Sequence, residues 1–205
     1  MSAPPPFEIV SPAKGAASPL VFASPHSGQV YPPEMMEASA LDAEAIRRSE
    51  DAFVDELIGA APKHGATLLL ARLARAWIDV NREPWELDPG MFEDELPDFA
   101  RGRSARVAAG LGSIAKIVSE GQEIYARKLT FEEARERIET THKPYHTALS
   151  GLLDKARVRH GLAVLIDWHS MPSAAAAQGR SGKGCDLVLG DRFGAACAPA
   201  LTRLV

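Results

Sequence analysis

The chain has 205 residues, of which 46% are hydrophobic, 24% charged and 6% aromatic, as is typical of one ordinary globular domain. Its net charge of -4 argues against a broad nucleic-acid surface, and no apolar run approaches the roughly 18 residues of a membrane span. Two cysteines exclude a disulfide framework, and residues 1–6 carry no secretory signal. We therefore expect one cytoplasmic domain over residues 1–205, with a flexible N-terminal segment at 1–18.

The first half of the chain predicts strands separated by a helix. Residues 19–23 and 67–70 are short apolar runs of the kind that form buried strands, and residues 77–80 favour a third strand. Between the first two, residues 41–62 predict a helix, because their apolar side chains recur every three or four positions.

The second half begins with a long irregular stretch at 83–121, and such stretches are often functional. Residues 130–133 match a capping box, which predicts a helix running to about residue 160. Pro144 is expected to kink or break that helix. Residues 162–167 give the clearest buried strand of the chain.

The last part of the chain predicts a mobile glycine-rich loop at 174–184 and a strand at 186–190, with Cys185 in the core. A helix is expected from about Phe193. Strands that alternate with helices indicate an α/β domain with a largely parallel sheet.

Three polar clusters lie at the ends of predicted strands, at residues 24–28, 79–82 and 167–170. Ligands of open parallel sheets bind beyond the carboxyl ends of the strands. We therefore expect two histidines, at least two carboxylates and an arginine to meet at one edge of the sheet.

His26 and His169 suit a divalent metal, since imidazole is a common ligand and catalytic zinc takes about three protein ligands. The third ligand is expected to be Glu50 or Asp51. A continuous helix puts Glu50 on the buried face, where a lone carboxylate is costly, whereas a helix that begins at Ser49 puts both in its first turn. The alternative for each histidine is an ordinary core or surface role.

Asn81 and Arg82 form a second signal, because the planar arginine fork can bind a carboxylate through two hydrogen bonds. The alternative is a surface pair between Arg82 and Glu83. The remaining histidines are expected outside the site: His64, His142, His146 and His160.

Seven short motifs occur in order along the chain: SPHSG at 24–28, SEDAFVD at 49–55, DVNR at 79–82, RVAAGLG at 106–112, EIY at 123–125, KPYH at 143–146 and DWHS at 167–170. Together they resemble the N-formylglutamate amidohydrolase family, and the match extends from about Pro19 to Leu201. The resemblance implies a three-layer α/β fold of the phosphorylase/hydrolase-like, zinc carboxypeptidase-like type. Its sheet would be mixed but mostly parallel, with helices on both faces.

The resemblance also implies that His26, Asp51 and His169 hold a zinc ion, because the family pattern has an acid at Asp51. Helix periodicity favours Glu50, so the third ligand stays open between the two. Fe, Mn or Co would also suit a site of two histidines and a carboxylate. Asp167 is expected to orient a ligand rather than to bind the metal.

For the substrate, the resemblance implies that Asn81 and Arg82 bind one carboxylate and that Arg106 contacts a second. The reaction implied is hydrolysis of N-formyl-L-glutamate to formate and L-glutamate, a late step of histidine degradation. The partner would be a small N-acyl amino acid. The alternatives are deacylation of another N-acyl amino acid, a catalytically incomplete metal- or carboxylate-binding protein, or a metal-free interaction domain.

In the family pattern, the glutamate that acts as general base belongs to a later strand motif. The resemblance therefore implies that this base follows Val205 and that the chain is truncated at its C-terminus.

Overall fold

The computed structural model describes residues 5–118, 121–173 and 185–204. The chain divides into two compact units, Met1–His169 and Ser170–Val205. The first unit contains one open sheet of four strands: β1 (Phe7–Val10), β2 (Leu20–Ser24), β3 (Thr67–Ala71) and β4 (Val164–Asp167). Their order in the sheet is β1-β3-β2-β4, and only β1 runs antiparallel to its neighbour. The prediction of a mixed α/β sheet is confirmed.

The register aligns the ends of the two strands that carry the polar clusters. β2 is parallel to β4, with Ala23 opposite Asp167. The Trp168 N–H donates to the Ala23 carbonyl at 2.8 Å, which continues this alignment past the end of β4. The chain therefore leaves both strands at the same level of the same sheet edge.

The described helices are short except for one. They are α1 (Pro33–Ala38), α2 (Val54–Leu57), α3 (Ala105–Ala108), α4 (Phe131–Arg137), α5 (Lys143–His160) and α6 (Pro199–Thr202). Four 3₁₀ segments also occur, at Ala45–Ser49, Ala61–His64, Pro89–Met91 and Asp98–Ala100. None of the helices in the described part of the chain is long and apolar enough to cross a membrane.

Both faces of β3 are buried. Leu69 belongs to the largest core cluster, which includes Ile138, whereas Leu68 faces the other way and clusters with Ile58. This alternation is expected of a strand that packs on both sides. Residues 67–70, predicted as a buried strand from their apolar run, lie within β3.

The capping box at the start of α4 is confirmed. The Thr130 side chain accepts a hydrogen bond from the Glu133 N–H, and the Glu133 carboxylate accepts one from the Thr130 N–H. The predicted break near Pro144 takes the form of a π-helical segment, Ile138–His142, between α4 and α5. Pro144 has no N–H to donate to a carbonyl four residues earlier, and its ring crowds that carbonyl, so the helix widens just before it.

The prediction of one helix over 41–62 is wrong. The backbone is extended at Glu50 (φ -68°, ψ 143°) and left-handed at Phe53 (φ 65°), which leaves only separate short turns. A tertiary hydrogen bond replaces the helical one at this point, because the Asp51 N–H donates to the His26 carbonyl at 3.0 Å.

Residues 77–80 were predicted as a strand and instead form turns outside the sheet. Arg137, only 1% exposed, donates to the Trp77 carbonyl at 3.2 Å and stacks its guanidinium 3.9 Å from the centre of the Trp77 ring. The Asp79 N–H donates to the Ser113 carbonyl at 2.7 Å. The backbone groups that a strand would pair are thus bound by a side chain and a loop.

In the second unit, residues 186–190 form no strand and Cys185 is exposed, so both predictions are wrong. The helix expected from Phe193 begins only at Pro199. A proline suits the first turn of a helix, because the N–H it lacks would be unpaired there. The glycine-rich loop predicted at 174–184 lies outside the described residues.

At Gly28 the turn after β2 lies close to the backbone of residues 72–73. A Cβ added to it would lie 2.2 Å from the Leu73 carbonyl oxygen. The neighbouring Val30 N–H donates to the Arg72 carbonyl at 3.0 Å, which holds the two segments together.

We therefore expect Gly28→Ala to lower the free energy of unfolding by about 1–3 kcal/mol, because the methyl group overlaps a fixed carbonyl. Gly151→Ala is the matched control: it lies in α5 with open space around it, and should stabilise the chain by about 0.5–1 kcal/mol. Urea unfolding measures both. Equal effects of the two variants would contradict the close approach at Gly28.

Candidate metal centre

Two histidines meet where β2 and β4 end. His26 lies two residues beyond β2 and His169 two residues beyond β4, and their ring centres are 4.7 Å apart. His26 is buried, whereas His169 is partly open to solvent. The predicted convergence of the strand-end clusters is confirmed for these two side chains.

Asp51 joins the two histidines from the segment between the short helices. Its Oδ2 lies 2.9 Å from His169 Nδ1 and 3.4 Å from His26 Nδ1. Each of the three residues offers one donor atom, and these atoms all lie within 4.8 Å of one another. The hydrogen bond from the Asp51 N–H to the His26 carbonyl fixes this approach.

Glu50, the other candidate for the third ligand, is turned away into a different set of contacts. Its side chain is 2% exposed, accepts a hydrogen bond from the Tyr31 hydroxyl at 2.7 Å and pairs with Arg47 at 3.1 Å. Burial, together with the Glu50 carboxylate, raises the pKa of Tyr31 above its usual value. Glu50 is therefore buried, as the helix periodicity predicted, but its charge is paired with Arg47 and not with the histidines.

The charges of the cluster stabilise one another. Burial opposes the charged form of Asp51, but the nearby rings of His169 and His26 outweigh it and hold the pKa of Asp51 well below its usual range. Hydrogen bonds to Asp167 and to Asp51 raise the pKa of His169 to about 9. The raised pKa favours a proton on His169, which lies between the Asp51 and Asp167 carboxylates.

Asp79 holds the other side of the His26 ring. Its Oδ1 lies 2.7 Å from His26 Nε2, and its Oδ2 accepts a hydrogen bond from Arg75 at 2.7 Å. Burial opposes the charged form, but His26, Arg75 and Arg82 keep the pKa of Asp79 below its usual range. Asp79 was predicted among the polar residues at this sheet edge but without a partner, and Arg75 was not singled out. The sequence feature that could have indicated this pair is the spacing of Arg75 and Asp79, two opposite charges four positions apart and close to Asn81.

A divalent metal fits this donor set. Since the Asp79 carboxylate can only accept, His26 donates through Nε2, and in a neutral ring Nδ1 then carries the lone pair that a metal would bind. That Nδ1 atom is buried and has no hydrogen-bond partner among the described residues. Donor atoms at about 2.1 Å from a tetrahedral ion lie about 3.4 Å apart, the separation found between His26 Nδ1 and Asp51 Oδ2.

The predicted substrate residues lie at different distances from this cluster. The Asn81 amide nitrogen is 3.0 Å from His169 Nε2 and 3.1 Å from the Asp167 carboxylate. Arg82 donates to the Leu111 carbonyl at 3.3 Å and lies 3.9 Å from the Asp79 carboxylate. Asn81 and Arg82 therefore border the cluster.

Arg106 is an exposed residue of α3. Its backbone carbonyl accepts a hydrogen bond from the Leu111 N–H at 2.8 Å, and the Leu111 carbonyl in turn binds Arg82. The structure thus links the Arg106 loop to Arg82 but shows no contact of the Arg106 side chain with the histidines.

Comparisons with known proteins point to the same family. The sequence matches the N-formylglutamate amidohydrolase family over residues 18–205. A protein named N-formylglutamate deformylase from Pseudomonas putida is 28% identical over 185 residues, 89% of this chain and 62% of that protein. One of the same name from Pseudomonas aeruginosa is 26% identical over 196 residues, 95% of this chain and 66% of that protein. The chain thus spans a little under two thirds of these relatives.

The fold is also similar to solved structures. A crystal structure of N-formylglutamate amidohydrolase from Ralstonia eutropha matches with a TM-score of 0.83 and 36% identity, covering 97% of this chain and 71% of that one. A gene product from Agrobacterium tumefaciens matches with a TM-score of 0.55 at 16% identity, covering 90% and 62%. The second likeness is one of fold alone.

The geometry separates the two candidates for the third ligand. We expect Asp51→Asn to weaken zinc binding at least about 100-fold, because it removes a charged donor from the cluster. Glu50→Gln is the matched control and should leave the zinc stoichiometry unchanged, since Glu50 contacts Tyr31 and Arg47 instead. Competition with a chromogenic chelator measures both. Loss of zinc in Glu50→Gln with retention in Asp51→Asn would reverse the assignment.

Asp79 should act on the metal through His26. We expect Asp79→Asn to weaken zinc binding by about 10- to 100-fold, because the carboxylate fixes the ring and raises its basicity. Asp154→Asn, which changes an exposed partner of Arg157 on α5, serves as control. An affinity in Asp79→Asn equal to that of the control would show that Asp79 does not orient His26.

Proposed function

The chain belongs to the N-formylglutamate amidohydrolase family, and from this premise we propose that it takes part in metal-dependent hydrolysis of the amide bond of an N-acyl acidic amino acid. N-formyl-L-glutamate, cleaved to formate and L-glutamate, is the substrate that the names of its relatives support. The observation that carries the proposal is the cluster of His26, Asp51 and His169 beside Asn81.

In this proposal His26, Asp51 and His169 hold a zinc ion. When bound, such an ion lowers the pKa of a coordinated water and polarises a carbonyl group. The carboxylates behind the histidines keep the rings oriented: Asp79 binds His26, and Asp167 lies 3.0 Å from His169 Nε2. Carboxylate partners of this kind make an imidazole a better ligand.

Asn81 and Arg82 are the proposed binding site for the substrate carboxylate. Arg82 has a planar fork that can bind a carboxylate through two hydrogen bonds, and Asn81 lies next to a proposed metal ligand. A carboxylate bound here would place the neighbouring acyl amide at the metal. Arg106 is proposed to contact the second carboxylate of an acidic amino acid.

A second candidate function is a metal- or carboxylate-binding protein of the same fold without catalytic turnover. It is favoured by the carboxylates of the described cluster, all of which are aspartates in contact with histidines, and by Glu50, which is bound by Tyr31 and Arg47. The general-base glutamate predicted after Val205 stays a prediction. Deacylation of a different N-acyl amino acid would use the same groups.

The decisive experiment combines metal analysis with turnover. Because the general base is predicted to follow Val205, turnover is measured on this chain and on a version that continues past Val205. We expect both to bind one equivalent of zinc and the longer chain to release formate from N-formyl-L-glutamate, with zinc and turnover lost on chelation. Zinc binding with no turnover in either chain, together with calorimetric binding of L-glutamate, would support the second candidate. Failure to bind either zinc or L-glutamate would overturn both.

Within the same experiment, Arg82→Lys should weaken binding of L-glutamate by about 10- to 100-fold, because the point charge of lysine cannot form the two-bonded contact. Arg72→Lys, an exposed partner of Glu8, is the matched control. An unchanged affinity in Arg82→Lys would place the carboxylate elsewhere.

A further inference from the structure

The KPYH motif at 143–146 is part of the family resemblance but has no role in the site described so far. It begins α5, and its His146 lies one helical turn after His142, the last residue of the π-helical segment. Residues four apart lie on the same side of a helix. The two imidazole rings stack accordingly, with centres 4.5 Å apart and an angle of 29° between their planes.

Each ring contacts a backbone carbonyl on either side of Asn81. His142 Nε2 lies 2.8 Å from the Arg82 carbonyl oxygen, and His146 Nε2 lies 2.7 Å from the Val80 carbonyl oxygen. A carbonyl only accepts hydrogen bonds, so both histidines must donate through Nε2. The pair therefore binds the turn over residues 80–82 at both ends.

The same turn carries the side chains that border the metal cluster. The Asn81 N–H donates to the Asp79 carboxylate at 2.9 Å, and the Arg82 N–H donates to the Asp79 carbonyl at 3.2 Å. The side chain of Asn81 is directed to His169 and Asp167. A shift of this backbone would move both the amide and the guanidinium group away from the substrate.

The histidine pair is suited to a fixed arrangement. His142 is 4% exposed, and burial, with His146 beside it, lowers the pKa of His142, so the neutral ring is favoured. A neutral imidazole has a single N–H, and the Arg82 carbonyl takes it. His146 has a more exposed ring, so its substitution leaves the buried core in place.

We propose that His142 and His146 are positioning residues: as a stacked pair they hold the turn over residues 80–82, and so direct Asn81 and Arg82 toward the substrate carboxylate. The part of this proposal that concerns the substrate rests on the proposed function, in which Asn81 and Arg82 bind the substrate carboxylate. The hold on the turn itself depends only on the two hydrogen bonds and the stacking.

The test replaces the exposed member of the pair in two ways. His146→Leu removes the donor, whereas His146→Gln keeps an amide N–H near the position of Nε2. The first measurement is hydrogen exchange at the backbone amides of Asn81 and Arg82 in the full chain. The second is calorimetric binding of L-glutamate after zinc loading. His64→Leu, on the exposed 3₁₀ segment Ala61–His64, is the matched control.

We expect His146→Leu to speed exchange at both amides and to weaken L-glutamate binding by roughly 5- to 10-fold, the effect of losing one hydrogen bond. His146→Gln should stay close to the unaltered chain in both measurements. Unchanged exchange in His146→Leu would overturn the proposal. Equal losses in both variants would also overturn it, because the donor would then not be what matters.

The two measurements distinguish this inference from the proposed function. If the unaltered chain does not bind L-glutamate but the exchange pattern is as expected, the carboxylate site at Asn81 and Arg82 is refuted. In that case the histidine pair holds the turn over residues 80–82, but no link to substrate binding is shown. If L-glutamate binds and His146→Leu changes neither measurement, the proposed function stands and the positioning role fails.

Discussion

The site depends on how one helix binds the backbone of the segment at 77–82. Arg137, His146 and His142 each donate to a carbonyl of this segment, and they lie along the continuous helical run that the capping box opens. Side chains thus replace the neighbouring strand that would otherwise satisfy these carbonyls. Freed from the sheet, the segment bends so that Asp79 and Asn81 reach the two strand-end histidines.

The charge balance of the cluster suits the cation proposed for it. Asp51 and Asp79 are buried and Asp167 is exposed, beside only two imidazoles, and a buried carboxylate is costly unless it is paired. Arg75 and Arg82 lie beside Asp79, and a proton on His169 balances one of the other two carboxylates. In the proposed site, a divalent ion at the donor atoms of His26, Asp51 and His169 would replace that proton, which links metal binding to proton release.

Much of this arrangement could be predicted from the sequence, because it follows from local pattern. Apolar runs located β2, β3 and β4, and the parallel order of β2 and β4 brings His26 and His169 to one edge. The choice between Glu50 and Asp51 could not be derived from periodicity. It depends on a backbone break stabilised by the hydrogen bond from the Asp51 N–H to the His26 carbonyl, a contact across 25 positions of the chain that no local rule describes.

The prediction of a strand at 77–80 was wrong for a related reason: the hydrogen-bond partners of this segment are distant in the sequence. Its apolar side chains do enter the core, as expected, but its carbonyls are bound by residues 60 and 66 positions away. Those donors belong to a helix whose course is altered just before Pro144, where the π-helical segment ends at His142. The residues that appeared least connected to the site, on the long helix, therefore determine the position of the residues that form it.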